Sequence, residues 1–564
     1  MEERDFQNCI DEYHLYAGQF AKDAVVIKKE QAKNTCEGIT YRIPSLLSAK
    51  DPDGKEVVIS AIDLSESGGD FGRIQVVSRI SEDGGKSFGE MKVILSLPVS
   101  KTPQKRDDFE SAFAIDPILV QAENGDILMI VDMYPECKGL MNRFWLDKGS
   151  GYINIDGKNY MALYSGKTKV GGAKGNEGKP YTIREKGFVY TPDGKKTNYY
   201  VPQNHSSDFA FETVGDLYYA VGEPDYIESC PPMIPPEENG SDIYCGNIFL
   251  SYNKDEFDVE KPTRIRKKEV SPEKTGEDYS KYYCIETKPA PLSATVKSYL
   301  WVLRSKDMGK TWMNPVDISA AVMKNDEMFL GTGPGVAICL KNQKDKKKNG
   351  RILAPVYNTK ETAVIYSDDI GYTWKRSQCS KNIDETQLCE LFDGTIMCFG
   401  RPKKLSKTPF SISYDSGASW KQMPKTKLSS IKCQKSVISV PKEIYCDGMD
   451  KSKDYIIACN PSGNYQKNSK RFGGMLTIGV VNEDKSIEWL KQRKLHADGV
   501  KGESENFFAY SAMTVLNNGN IAVLFEAMPS GLAVYEQFTT SWLMSGEKAY
   551  SFPIPLKNRL GLSK

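Results

Sequence analysis

Four aspartates of this chain stand in one recurring frame, Ser-x-Asp-x-Gly-x-(Ser/Thr)-aromatic, and their chemistry is local. The frame reads SEDGGKSF at Ser81–Phe88, SKDMGKTW at Ser305–Trp312, SDDIGYTW at Ser367–Trp374 and SYDSGASW at Ser413–Trp420. In a tight hairpin the carboxylates of Asp83, Asp307, Asp369 and Asp415 accept backbone N–H bonds, and the glycine takes a positive φ. The hydroxyl closes a side-chain bond and the aromatic folds back beneath the turn. Turn chemistry accounts for every residue of the frame, so these boxes mark a fold and not a reaction. Other reactive types are dispersed. His14, His205 and His496 lie far apart, and the 13 cysteines have no CxxC spacing. Neither a histidine- or cysteine-based metal site nor a disulfide framework is indicated.

Turns that repeat at variable spacing need strands that repeat with them. Short β-patterned runs such as VVISAID, DILMIVDMY, SYLWVLRS, GTIMCFGR and NIAVLFEAM are separated by Gly, Asp and Asn, and helical periodicity is scarce. The expected fold is all-β and radially repeated, a propeller. Asp83 and Asp307 are 224 residues apart, whereas the later box spacings are 62 and 46. One blade takes roughly 40–50 residues, so the long gap is read as about two blades plus an insertion. The Gly-, Lys- and Tyr-rich stretch 142–244 ends in SCPPMIPPEENGSD and is expected to form an inserted β-rich module with few core contacts crossing to the blades. The chain then divides into an N-terminal extension at 1–34, a first part of the propeller at 35–141, the module at 142–244 and the remaining blades at 245–564.

Composition narrows the class. A chain of 564 residues with 40% hydrophobic and 26% charged residues can bury a large core, and 75 basic against 74 acidic residues leave a net charge of +1. That balance offers no reason to expect a nucleic-acid or membrane-surface partner. No window approaches about 18 consecutive apolar residues, so no membrane span is expected. The opening MEERDFQNCIDEYHLY is acidic and polar, without a signal-peptide core, which implies a cytoplasmic protein if residue 1 is the native start.

From Thr40 onward the chain resembles the exo-sialidase (neuraminidase) family. The resemblance rests on Arg42-Ile43-Pro44, the boxes, FLGTGPG at Phe329–Gly335, Glu385-Thr-Gln, Arg401, Ala509-Tyr510-Ser511 and Phe525-Glu526, in that order. The run YTIREKGFVYTPDGKKTNYYV looks like the inserted module of large bacterial-type sialidases. The resemblance implies a six-bladed β-propeller with Asp-box hairpins and an inserted β-rich module. It also implies a retaining exo-α-sialidase, a glycoside hydrolase releasing terminal sialic acids from glycoproteins, glycolipids or oligosaccharides. Arg42, Arg401 and Arg471 match the arginines that hold the sugar's carboxylate, a group that planar guanidinium forks suit. An Asp or Glu nucleophile would be repelled by that carboxylate, and sialidases use tyrosine instead. Tyr510 matches this nucleophile and Glu385 its base. Asp70, 28 residues after Arg42, matches the acid that protonates the leaving oxygen, with Asp63 as competitor. Ile115 and Asp116 match the wall beside the sugar's O4 and amide, and Glu526 the carboxylate that orients the first arginine. Nucleophile and acid come from the protein, so no cofactor or metal is implied. The expected partners are sialylated glycans, the expected state is a monomer, and similar members are often secreted or held at the cell surface.

The match breaks at one place. The family usually carries a further arginine a few residues before the acid, lining the O4 subpocket. Here Ile43–Gly72 contains none, and Leu64 or Ser65 stands near that place. A trans-sialidase, including an intramolecular one forming an anhydro sugar, would keep the same set of residues. A non-catalytic sialic-acid-binding propeller would have no reason to hold Arg42, Asp70, Glu385, Arg401 and Tyr510 together.

Overall fold

The structure, a computed structural model, describes residues 9–14, 40–65, 69–100, 111–136, 139, 146–165, 179–202, 214–221, 242–250, 268–270, 284–381, 383–402, 406–461, 471, 473–495, 507–527 and 532–549. His205 and His496 lie outside them. The β-patterned runs pair antiparallel into six blades. Blade 1 holds Thr40–Lys50, Glu56–Ser65, Ile74–Ser81 and Lys92–Leu95. Blade 2 holds Phe113–Gln121, Ile127–Tyr134, Tyr299–Ser305 and Val316–Asp317. In blade 3, Gly331–Thr332 and Ile338–Cys339 share the inner edge of Ile352–Tyr357, followed by Glu361–Ser367 and Lys375–Lys381. Blade 4 runs Thr386–Glu390, Ile396–Gly400, Phe410–Ser413 and Lys421–Gln422. Blade 5 runs Ser436–Ser439, Asp454–Pro461, Gly474–Val481 and Ile487–Lys494. Blade 6 is Ser511–Val515, Ile521–Ala527 and Leu532–Phe538, and its outer strand is Cys9–His14, supplied by the start of the chain. No described helix is long and apolar enough to cross a membrane.

Every box joins the third strand of its blade to the fourth. In the first, Ser87 N–H and Ser87 Oγ donate to Asp83 at 2.9 and 2.6 Å, Ser81 Oγ donates to Asp83 at 2.7 Å, and Gly85 N–H donates to Ser81 Oγ at 2.9 Å. The same set recurs around Asp307, Asp369 and Asp415. The glycine has positive φ, as expected, but so does the residue before it. Met308, Ile370 and Ser416 sit at φ 62°, 54° and 58°. The carboxylate bonds hold non-glycine residues in a region they disfavour.

The boxes also fasten each blade to the one before it. Gly309 lies against Ile59 and Ile80 of blade 1, Gly371 against Leu128 of blade 2, and Gly417 against Leu353 of blade 3. The first box closes the ring onto blade 6, where Gln537 Nε2 donates to Gly84 O at 2.9 Å and Phe88 meets Tyr535 edge-on at 5.1 Å. Ser48 N–H donates to Thr514 Oγ1 at 3.0 Å across the same seam.

The long gap between boxes contains one blade, not two. Blades 1 and 2 are neighbours, and the extra chain leaves blade 2 after Tyr134 and returns at Tyr299. Between them runs a further sheet, from Tyr152–Ile155 through Ile243–Asn247, with Leu292–Ala294 on its edge. The expectation of few core contacts does not hold. Leu163, Val189 and Leu217 of that sheet, with Ile248 just after its last strand, belong to one buried apolar cluster with Ile59 and Val76 of blade 1 and Met129 and Trp301 of blade 2. At about 25 cal/mol per Å² of buried apolar surface, such a seam contributes to the stability of both parts.

Candidate active site

Two bulges turn side chains of blades 1 and 2 toward the axis. In the inner strand of blade 1 the pairing shifts between Arg42 and Ser45, and Ile43 is held at φ 58° ahead of Pro44. The inner strand of blade 2 repeats the device. Its register shifts between Ile115 and Ile118, with Asp116 at φ 63° ahead of Pro117. Such conformations cost on the order of 1–3 kcal/mol and persist where the surroundings over-determine them. Ile43 N–H donates to Glu526 Oε1 at 2.8 Å. Asp116 N–H donates to Asp63 Oδ2 at 3.1 Å, and its C=O accepts from Thr332 Oγ1 at 2.6 Å.

These strands, with the ends and loops of the other blades, line a cavity of about 540 Å³. Eight of the residues singled out in the sequence line it: Arg42, Asp70, Ile115, Asp116, Glu385, Arg401, Arg471 and Tyr510. Glu526 stands behind them, and its charge is one of those that raise the Arg42 pKa against the lowering effect of burial. Asp63 lies beneath the floor, 1% exposed, so of the two candidate acids only Asp70 reaches the cavity. Among the described residues, Arg42, Arg401 and Arg471 are the arginines that line it. No fourth arginine lines it among the described residues.

The nucleophile candidate is held on all sides. Tyr510 OH donates to Glu385 Oε1 at 2.7 Å and accepts from Arg401 Nη1 at 3.0 Å, while Arg401 also ion-pairs with Glu385 Oε2. The Arg471 guanidinium lies 4.9 Å from the Tyr510 ring centroid. Burial, then the Glu385 charge, pushes the phenol well above its ordinary pKa, with Arg401 and Arg471 pulling the other way. The hydroxyl therefore keeps its proton and points it at a carboxylate. Opposite, Arg42 Nη1 donates to Asp70 Oδ1 at 2.7 Å. Burial pushes the Asp116 carboxyl well up, and the Glu385 and Asp70 charges add to the effect.

Several supporting residues escaped the sequence reading. Gln434 brackets Ser511, next to Tyr510, accepting its N–H at 2.9 Å and donating to its C=O at 2.9 Å. Lys435 is fully buried, and its Nζ donates to Gly400 O at 2.7 Å beside Arg401. Burial lowers its pKa to about 7. Asp132 lines the floor and accepts from Thr332 N–H at 2.8 Å. A lone Asp inside the apolar run DILMIVDMY, and a Lys inside IKCQKSVIS, were the available signals. Neither pattern says which way a buried polar group faces.

The chain is thus a six-bladed Asp-box propeller whose cavity is lined by three arginines and a hydrogen-bonded tyrosine–carboxylate pair. The BNR repeat-like domain family matches residues 282–523. Sialidase B of Streptococcus pneumoniae is 27% identical over 533 residues, 89% of this chain and 63% of that protein, so the chain spans less than two thirds of this relative's length. The fold is similar to that of the intramolecular trans-sialidase from Ruminococcus gnavus, with a TM-score of 0.65 and 21% identity over 97% of this chain and 100% of that one. It is also similar to the leech intramolecular trans-sialidase, with a TM-score of 0.63 and 22% identity over 91% of this chain and 70% of that one. The chain is therefore similar in sequence to a bacterial sialidase and in fold to these trans-sialidases.

Proposed function

We propose that the protein is a retaining exo-α-sialidase acting on terminal sialic acids of glycans. The observation that carries this reading is the Tyr510–Glu385 hydrogen bond of 2.7 Å, set where three arginines converge on one cavity. Among the described residues the buried Arg401 Nε has no partner, which leaves a donor for the sugar's carboxylate. With the carboxylate on Arg42, Arg401 and Arg471, Tyr510 O attacks the anomeric carbon as its proton passes to Glu385. Asp70 gives a proton to the departing oxygen, and the glycosidic C–O bond breaks. Asp70 then takes a proton from water as the water oxygen attacks the anomeric carbon; the bond to Tyr510 breaks, Glu385 returns the proton to the phenol oxygen, and the sugar leaves with retained configuration. Ile115 and Asp116 stand where the sugar's amide and O4 would lie, and the reaction as written calls for no metal or cofactor.

The two structural relatives named above are intramolecular trans-sialidases, the leech protein bound to 2,7-anhydro-Neu5Ac. This motivates a second reading, in which the sugar's own O7 displaces Tyr510 in place of water. Incubation with a fluorogenic α-sialoside and NMR of the product separates the two. Free sialic acid supports hydrolysis, an anhydro sugar supports the second reading, and no turnover by soluble folded protein overturns both.

A further inference from the structure

In the ligand-free protein the acid and the carboxylate clamp are tied to one another. Arg42 Nη1 donates to Asp70 Oδ1 at 2.7 Å, using the guanidinium that a substrate carboxylate would need. An aspartate engaged in that ion pair is a carboxylate, and a carboxylate has no proton to give to a leaving group. We infer that the substrate's own carboxylate arms the acid: by taking Arg42 it releases Asp70, which then picks up a proton from solvent before the glycosidic bond breaks. This rests on the sialoside-cleaving reading and adds its trigger.

The surroundings favour Asp70 as the group that takes the proton. Binding adds one negative charge to a site where Arg42 already faces Asp70 and Glu526, and Arg401 already faces Glu385. Asp70 would lose its cation and gain a like charge beside it, and both changes disfavour its ionised form. The charged groups facing it from packed elements are Arg42 on its own blade, Asp63 and Asp116 on neighbouring strands, and Glu526 from blade 6. Asp63, Asp116 and Glu526 are each pushed toward the protonated form by burial before any ligand arrives. The Asp70 side chain is 38% exposed, so solvent reaches it. Loss of product would restore the ion pair and return the proton.

The test is calorimetric titration of the full chain near neutral pH, in buffers of different ionisation enthalpy. The probe is 2-deoxy-2,3-didehydro-N-acetylneuraminic acid, which keeps the carboxylate and has no bond to cleave. About one proton should be taken up per bound ligand, and the methyl ester of the same compound should bind more weakly and take up none. Asp70→Asn should bind the free acid without uptake, whereas Asp116→Asn and Glu526→Gln should retain it. If Asp70→Asn fails to fold, the acid and its ester on the unaltered protein still decide. Binding of the acid without proton uptake, or uptake that survives in folded Asp70→Asn, overturns the inference and leaves the proposed function standing. No binding at all removes the proposed function, and the trigger with it.

Discussion

The aspartates of the turns and those of the cavity floor are one residue type in opposite surroundings. Burial raises the Asp83 carboxyl, but the side-chain and backbone hydrogen bonds from Ser87, Ser81 and Lys86 together outweigh it and pull the carboxyl down to about 2. Asp63 and Asp116 are driven the other way, first by burial and then by neighbouring carboxylates. Oδ1 of each has no partner among the described residues. A turn carboxylate is satisfied within its own hairpin, so it stabilises the blade and does nothing else. The floor carboxyls are left partly unsatisfied, at a cost to stability of about 1–3 kcal/mol for each unpaired buried group. Of the two, Asp116 lines the cavity, and Asp63 supports it from beneath by accepting its N–H.

This contrast predicts that substitutions at the site change rate far more than stability, and that substitutions in the boxes do the reverse. The largest effect should come from Tyr510→Phe, with turnover of a fluorogenic sialoside falling on the order of 10⁴-fold or more. The melting temperature should hold, and the didehydro analogue should still bind. A 3-fluorosialyl fluoride should label Tyr510 in the unaltered protein, as read by peptide mapping. Labelling elsewhere, or unchanged rates in Tyr510→Phe, would remove tyrosine from the mechanism. Arg401→Lys comes next. One ammonium cannot serve Glu385, Tyr510 and a substrate carboxylate together, so kcat/KM should drop about 10²–10³-fold. If Arg401→Lys unfolds the protein while the folded remainder is fully active, Arg401 is structural.

The boxes are the counter-case. Asp369→Ala removes the acceptor for Thr373 N–H, Thr373 Oγ1 and Ser367 Oγ, and leaves Ile370 at φ 54° without its clamp. A loss of about 1–3 kcal/mol in stability is expected, read by denaturant unfolding, with kcat/KM of the folded fraction unchanged. A selective loss of activity would mean that the turn communicates with the cavity and would break the contrast.

What was legible in the sequence follows the same division. The box residues carry their chemistry within eight positions, so the turn, the strand before it and the strand after it could all be read locally. The cavity residues could be assigned only through resemblance, because Arg42, Glu385 and Tyr510 are hundreds of positions apart and meet only when the ring closes. Box spacing misled the blade count between Asp83 and Asp307, because a period says nothing about chain inserted inside a unit. The apolar positions Leu163, Val189 and Leu217 carried no mark of the partner they pack against. From the strands that leave blade 2 after Tyr134 and rejoin it at Tyr299, we propose module limits of 135–298 in place of 142–244. Ile43 and Asp116 illustrate a further limit. Both precede proline, which disfavours helix, yet nothing in Arg-Ile-Pro or Ile-Asp-Pro announces a left-handed backbone.

The smallest expected effect is the most direct reading of the floor. Asp63→Asn keeps an oxygen to accept Asp116 N–H. The folded-state pKa of Asp63 is raised above its unfolded value. Its contribution to stability is therefore fully present below the unfolded value, near 3.9, and is lost as pH rises through the folded value. At neutral pH the unaltered protein has lost that contribution, whereas an amide never ionises. Asp63→Asn should accordingly be more stable than the unaltered protein at neutral pH, by about 1–2 kcal/mol. The gap should narrow as pH falls toward about 4 and close below it, where the aspartate is protonated in both states. Paired melting curves across that range give the slope directly. A variant less stable at neutral pH, or a gap that does not move with pH, would mean that Asp63 is ionised and satisfied like the turn aspartates, and the two kinds of carboxylate would no longer differ.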